Sequence, residues 1–200
     1  MLYLYDTAVA DDLRKSFNNV DDVDPIVKVV DVEAIVDIIA QIKEDKIKFP
    51  LVVVTRNPDI SIADNTNFTR IHRGVATVLD NKTNKLYYEK AIPINLSYVI
   101  TVLTTNTADM DEMIRELIFK YTEQYFLTIT LPYECNRKVR FGIRINKDST
   151  IERKSAQLEY IQSGKLYQSI LNMTCEGCVL VTYTDAKLVR TLLDSDVSGE

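Results

Sequence analysis

The chain has 200 residues, of which 46% are hydrophobic, with five glycines, five prolines and a formal net charge of −5. That length suits one domain, and the composition is that of an ordinary globular protein rather than a disordered or fibrous one. The acidic balance argues against a general nucleic-acid coat, which needs a basic surface. No apolar run approaches the roughly 18 residues of a membrane-spanning helix, and the first ten residues carry Asp6 without an early basic region, unlike a secretory signal.

In chain order, the first predicted element is a helix over Asp6 to Phe17. Val9, Leu13 and Phe17 recur at four-residue spacing, and Asp6 is placed as its cap. Ile26 to Val30 is rich in β-branched residues and predicts a short strand. Asp31 is placed as the cap of a second helix, with Ile35, Ile38, Ile39 and Ile42 as its apolar face. Pro50 then introduces a central strand over Leu51 to Thr55. Asn57 to Thr69 is polar and predicts an exposed loop. Ile71 to Leu79 and Leu86 to Glu89 predict a hairpin about the turn residues 80–84.

Ile92 to Thr104 is the clearest strand. Ile94, Leu96, Tyr98, Ile100 and Val102 alternate onto one face, and Pro93 sits near its beginning, where a missing donor is tolerated. Thr107 is placed as the cap of the best helix, whose Met110, Met113, Ile114, Leu117, Ile118 and Tyr121 form a broad apolar stripe. Strands follow at Leu127 to Leu131, Val139 to Ile145, Leu166 to Met173 and Val179 to Tyr183. Ile151 to Ile161 fits either an arm or a bent edge. Asp185 to Leu193 predicts a short helix. The order lacks a regular strand–helix–strand repeat. It therefore predicts a single α+β domain over 1–200: a mixed, largely antiparallel sheet packed against two or three helices, with extended loops or arms. Residues 151–200 are a possible peripheral extension.

Catalytic motifs are sparse. Cys175 and Cys178 have the spacing of a zinc or redox pair, but only Cys135, His72 and carboxylates could complete a metal site that needs about four ligands. The pair lies between two apolar extended runs, which predicts a hairpin turn carrying ordinary thiols. A metal- or thiol-dependent protein is the alternative. His72 is the single histidine, so no two-histidine motif exists. Asp109, Glu112 and Glu116 share a polar helix face and serve solubility. There is no glycine-rich phosphate loop. Arg137, Lys138, Arg140 and Arg144 around Phe141 admit a nucleic-acid-binding alternative. No catalytic residue, cofactor or metal is assigned.

Charge is unevenly spread. Asp6, Asp11, Asp12, Asp21, Asp22, Asp24 and Asp31 are acidic, whereas 137–153 is basic, an asymmetry that suits docking of subunits. The run Lys48 to Pro58, the strand Ile92 to Val102 and the helix Asp109 to Phe119, in that order, resemble the small virion proteins of tailed phages, especially tail-terminator and tail-completion proteins. The resemblance covers roughly 31–145. It implies a non-enzymatic subunit, assembled in the host cytoplasm into the virion tail or neck, that forms a ring with its own copies. Tail tube, sheath, neck or baseplate proteins are its implied neighbours, without a membrane or a stable nucleic-acid complex. A baseplate or other neck role is the nearest variant. On the same resemblance Asn57 to Thr69 and Arg137 to Ser155 are contact segments, with Asp59, Asp64, Arg70, Arg137, Lys138, Arg140, Arg144 and Arg153 as interaction residues.

Overall fold

A computed structural model describes residues 2–17, 25–30, 48–63, 75–80, 85–131, 138–146, 151–156 and 166–183. Helix α1 spans Leu2–Phe17, β1 Ile26–Val29, β2 Leu51–Ile62, β3 Val75–Asp80 and β4 Lys85–Thr104. Helix α2 covers Thr107–Tyr121, followed by β5 Tyr125–Thr130, β6 Lys138–Ile145, β7 Glu152–Ala156 and β8 Leu166–Tyr183. All eight strands belong to one sheet. Six form the path β1-β2-β4-β8-β6-β5, while β3 pairs with β4 and β7 with β8. Only β1 and β2 run parallel; every other pairing is antiparallel. This is the α+β fold expected, with two helices among the described residues. The predicted helices at 31–46 and 185–193, and the turn at 81–84, lie outside those residues.

The sheet curls into a half-barrel, as twisted antiparallel strands do. Helix α1 packs on β1 at one end of the strand path and on β5 at the other, so it lies across the open side. Its buried residues Tyr5, Val9, Leu13 and Phe17 follow the four-residue spacing read in the sequence. Asp12 and Ser16 widen the buried stripe. Arg14 and Lys15 stand in the last turn, where the helix dipole favours cations.

The core forms between both helices and the alternating residues of β4, β6 and β8. Ile94, Leu96, Tyr98, Ile100 and Val102 of β4 are all buried in it, as their two-residue period requires. Leu117 and Met113 of α2 join them; burying one such side chain contributes about 2 kcal/mol. A smaller cluster holds Leu51, Val53, Leu103 and Leu166, residues of opposite parity on β2, β4 and β8. Helix α2 starts one residue earlier than expected: Asn106 is the cap, and its side chain accepts a hydrogen bond from the Ala108 amide at 3.0 Å.

Other expected boundaries differ as well, and the strands expected at Leu86 to Glu89 and Ile92 to Thr104 are the single strand β4. Helix α1 starts at Leu2, so Asp6 is an interior residue with tertiary partners rather than a cap. The segment 57–62 is the continuation of β2, not a loop, although its pairing with β4 shifts register between Arg56 and Ile60. The Pro58 ring and Asn57, whose side chain accepts from the Asp59 amide, explain the interruption. Finally, 166–183 is one strand, and Glu152–Ala156 is an edge strand on its first residues.

Three tyrosines anchor the helices through their hydroxyls. Tyr5 donates to the Cys178 carbonyl at 2.6 Å and accepts from the Cys178 amide at 2.9 Å. Tyr98 donates to Asp6 at 2.7 Å, and Tyr121 donates to Asp12 at 2.5 Å. Desolvation by burial raises all three phenols above the ordinary range; the neighbouring Asp6 and Asp12 carboxylates raise Tyr98 and Tyr121 further. The unfolded chain therefore releases these protons first. Their contribution to stability is complete below about pH 10 and declines as pH rises toward the higher folded values. A urea midpoint measured from neutral to strongly alkaline pH should accordingly drop above about pH 10. A midpoint that stays level there would contradict the burial of these hydroxyls.

Candidate assembly surface

The longest feature of the sheet is the pairing of β4 with β8. It runs without a break from Tyr88 opposite Tyr183 to Thr104 opposite Tyr167. At about 3.3 Å per residue, the 20-residue β4 is roughly 65 Å long, whereas a compact 200-residue domain is only about 40 Å across. The C-terminal half of β4 lies in the body. The strand's first residues, Lys85 to Lys90, are bordered by β3 on one side and, from Tyr88 onward, by the end of β8 on the other. The substantial contacts of β3 are all with β4, and neither helix packs on it to a comparable degree. The result is a ribbon of β3, the start of β4 and the end of β8, on which neither described helix packs to a comparable degree.

The two ends of the strand path differ. At β1, the Ile26 and Val30 amides donate to Pro50 and Val54, which turns the backbone groups of Val27 outward. The Val27 carbonyl is then taken by Arg14 of α1 at 2.9 Å. A strand of four residues with one carbonyl already capped is a guarded edge. At β5, no described strand pairs with the outer edge. An open groove of about 380 Å³ runs there between α1 and β5, lined by Leu4, Thr7 and Ala8 on the helix and 126–130 on the strand.

Beyond the reach of β1, the distal half of β2 has a second unpaired edge among the described residues. Residues 57–62 are all exposed. Ile60 and Ile62 stand opposite Leu96 and Ile94, on the same face of the sheet, yet they are 43% and 73% exposed while their partners are buried. Isoleucine is normally among the most buried residue types, so this pair is an uncovered apolar strip.

Charges around these features are partly neutralised internally. Asp6 receives Arg56 at 3.0 Å in addition to Tyr98. Asp12 receives Lys120 at 2.9 Å, and the same ammonium donates to Ser16 at 2.7 Å and lies 4.6 Å from the Tyr125 ring centre. Asp11 pairs with Arg14. Asp6, Asp11 and Asp12 are thus paired within the subunit, while Asp21, Asp22, Asp24 and Asp31 lie outside the described residues.

Among the expected interaction residues, Asp59 is exposed on the distal half of β2. Lys138 and Arg140 are exposed on β6, opposite Thr130 and Thr128 of β5, and the Arg140 guanidinium stacks 4.2 Å from the Phe126 ring centre. Arg144 is half-buried and 3.9 Å from Glu176. Arg153 pairs with Ser169 in the β7–β8 ladder. The structure therefore places Lys138 and Arg140 beside the groove and Asp59 on a separate edge. Asp64, Arg70 and Arg137 lie outside the described residues, as do His72 and Cys135.

Cys175 and Cys178 do not form a turn. Both are buried thiols outside any disulfide, within the continuous strand β8. Desolvation pushes the Cys175 thiol up, with smaller contributions from Asp6 and Glu176, the opposite of what a nucleophile or metal ligand needs. Among the described residues no group of three or more histidine, cysteine or acidic side chains is placed to hold a metal ion. Gly177 between them serves packing: a Cβ there would lie 2.7 Å from Tyr5 Cε1.

Sequence reasoning missed the ribbon, the groove and the partners of Asp6. The ribbon had one usable signal. Glu89–Lys90–Ala91 contains no turn former to separate the two strands predicted on either side of it. No known family profile matches the chain, and no curated protein is similar to it in sequence. No described helix is long and apolar enough to cross a membrane.

Proposed function

We propose that the protein is a structural subunit of a phage or phage-like tail, joined to copies of itself in a ring or connector, and most specifically a tail terminator. The observation that carries this reading is the three-stranded ribbon of β3, β4 and β8. The outer edges of β3 and of the last residues of β8 are paired by no described strand, and such edges can add to a neighbour's sheet. The order of the middle elements, strand β2, strand β4 and then helix α2, also agrees with the resemblance to tail-terminator proteins. In this role the residues bind and position; they carry out no covalent step.

The ribbon can be removed cleanly. Val75 and Lys90 are partners, so a short glycine–serine link from 74 to 91 closes a small gap. Native mass measurement should show the intact protein as a closed oligomer. The shortened protein should unfold cooperatively as a monomer. In the encoding genome, inactivating the gene should give tails of unregulated length or unjoined heads, because a polymer without its cap keeps growing. An intact protein that stays monomeric with its tail proteins supplied, or normal virions lacking it, would overturn the reading.

A further inference from the structure

The exposed isoleucines of β2 and the groove beside β5 lie on different parts of the same molecule. An apolar projection on one surface and an apolar recess on another make a heterologous contact, which closes into a ring when the rotation allows. The recess is built from Leu4 and Ala8 of α1 together with Leu127 and Ile129 of β5. It lies along the sheet edge that no described strand occupies.

Charge selects the occupant. Within the groove, Asp11 is paired with Arg14 and Asp12 with Lys120, which leaves Lys15 on the helix side and Lys138 and Arg140 next to β5. Among the described residues the groove's surroundings are therefore net positive, with Lys138 and Arg140 standing on β6 beyond β5 rather than in the lining itself. The exposed segment reads Asn57–Pro58–Asp59–Ile60–Ser61–Ile62, and its single charge is the carboxylate of Asp59. Acidic and apolar on one side meets basic and apolar on the other. Pro58 and the register shift before Ile60 discourage continuous strand addition, so the contact is made mainly by side chains.

We propose that Ile60 and Ile62 of one copy seat in the α1–β5 groove of a second copy, with Asp59 facing Lys138 and Arg140. This rests on the ring-subunit reading and names the contact that would build the ring. A guest of different origin, such as a tail protein, would leave self-association unaffected by the substitutions below.

Charge reversal tests it. Asp59→Lys alone, and Lys138→Asp with Arg140→Asp, should each weaken self-association by about tenfold or more, because like charges are then juxtaposed. Combining all three substitutions should restore it. All three sites are exposed, so thermal unfolding should be nearly unchanged for Asp59→Lys and only slightly lowered by Arg140→Asp, which loses its stacking on Phe126. As an independent arm, a chain carrying Ile62→Cys mixed with a separately tagged chain carrying Thr128→Cys should form a mixed disulfide on mild oxidation. An intact protein that assembles normally but is indifferent to charge reversal and gives no mixed disulfide would overturn this contact while leaving the ring reading in place. An intact protein that never self-associates would overturn both.

Discussion

Gly177→Ala is expected to destabilise the fold by about 3 kcal/mol, an overpacking cost combined with lost hydrogen bonds. The added methyl would meet Cε1, Cζ and Oη of Tyr5 at 2.7 to 2.9 Å. Tyr5 has no room to yield. It is fully buried, stacked edge-on against Phe141 with ring centres 4.8 Å apart, and its hydroxyl is committed to both backbone groups of Cys178. Moving the ring breaks this clamp between α1 and β8. Denaturant titration gives the loss directly, and a double substitution separates its causes. In a Tyr5→Leu background the same glycine change should cost much less, because the atoms that clash are gone. Equal losses in the two backgrounds would show that the methyl offends something other than Tyr5.

Arg56→Met should cost about 2–3 kcal/mol, since it leaves the Asp6 carboxylate in a mostly buried position with Tyr98 as its remaining described partner. The pair connects α1 to β2, and Tyr98 extends the link to β4. Asp6→Asn combined with Arg56→Met removes both charges and preserves an acceptor for the tyrosine hydroxyl. That double variant should recover most of the loss. The urea midpoint should move while the slope of the transition remains constant, as it does when stability changes without a change in compactness. A single substitution with no measurable effect would mean that Asp6 is solvated rather than held.

Periodicity was legible wherever one face of an element alone was buried. The alternation from Ile94 to Val102 and the spacing of Tyr5-side residues Val9, Leu13 and Phe17 report local geometry, and both appear in the fold as read. What could not be read depends on distant partners. Asp6 near a helix start has the chemistry of a cap, and only the position of Arg56 and Tyr98 reveals its tertiary role. Cys175–Glu176–Gly177–Cys178 has the composition of a turn or a metal knuckle. Its glycine answers instead to a tyrosine more than 170 positions earlier in the chain. The groove has no sequence signature, because its two walls, helix α1 and strand β5, lie far apart in the chain and share no motif.

The pairing of β4 with β8 also governs when the protein can fold. Partners across that ladder are separated by 63 to 95 residues of chain, and β8 lies between β4 and β6 at the centre of the sheet. The loop entropy of bringing them together is spent before any contact rewards it, which makes such topologies slow. A ribosome that has released everything through β6 has made both helices and most strands, but not the strand that joins the two halves. Until then β4 offers a long bare edge to every other nascent chain nearby. The order of synthesis thus makes the emergence of β8, rather than formation of the two described helices, the event that commits this subunit to its native state.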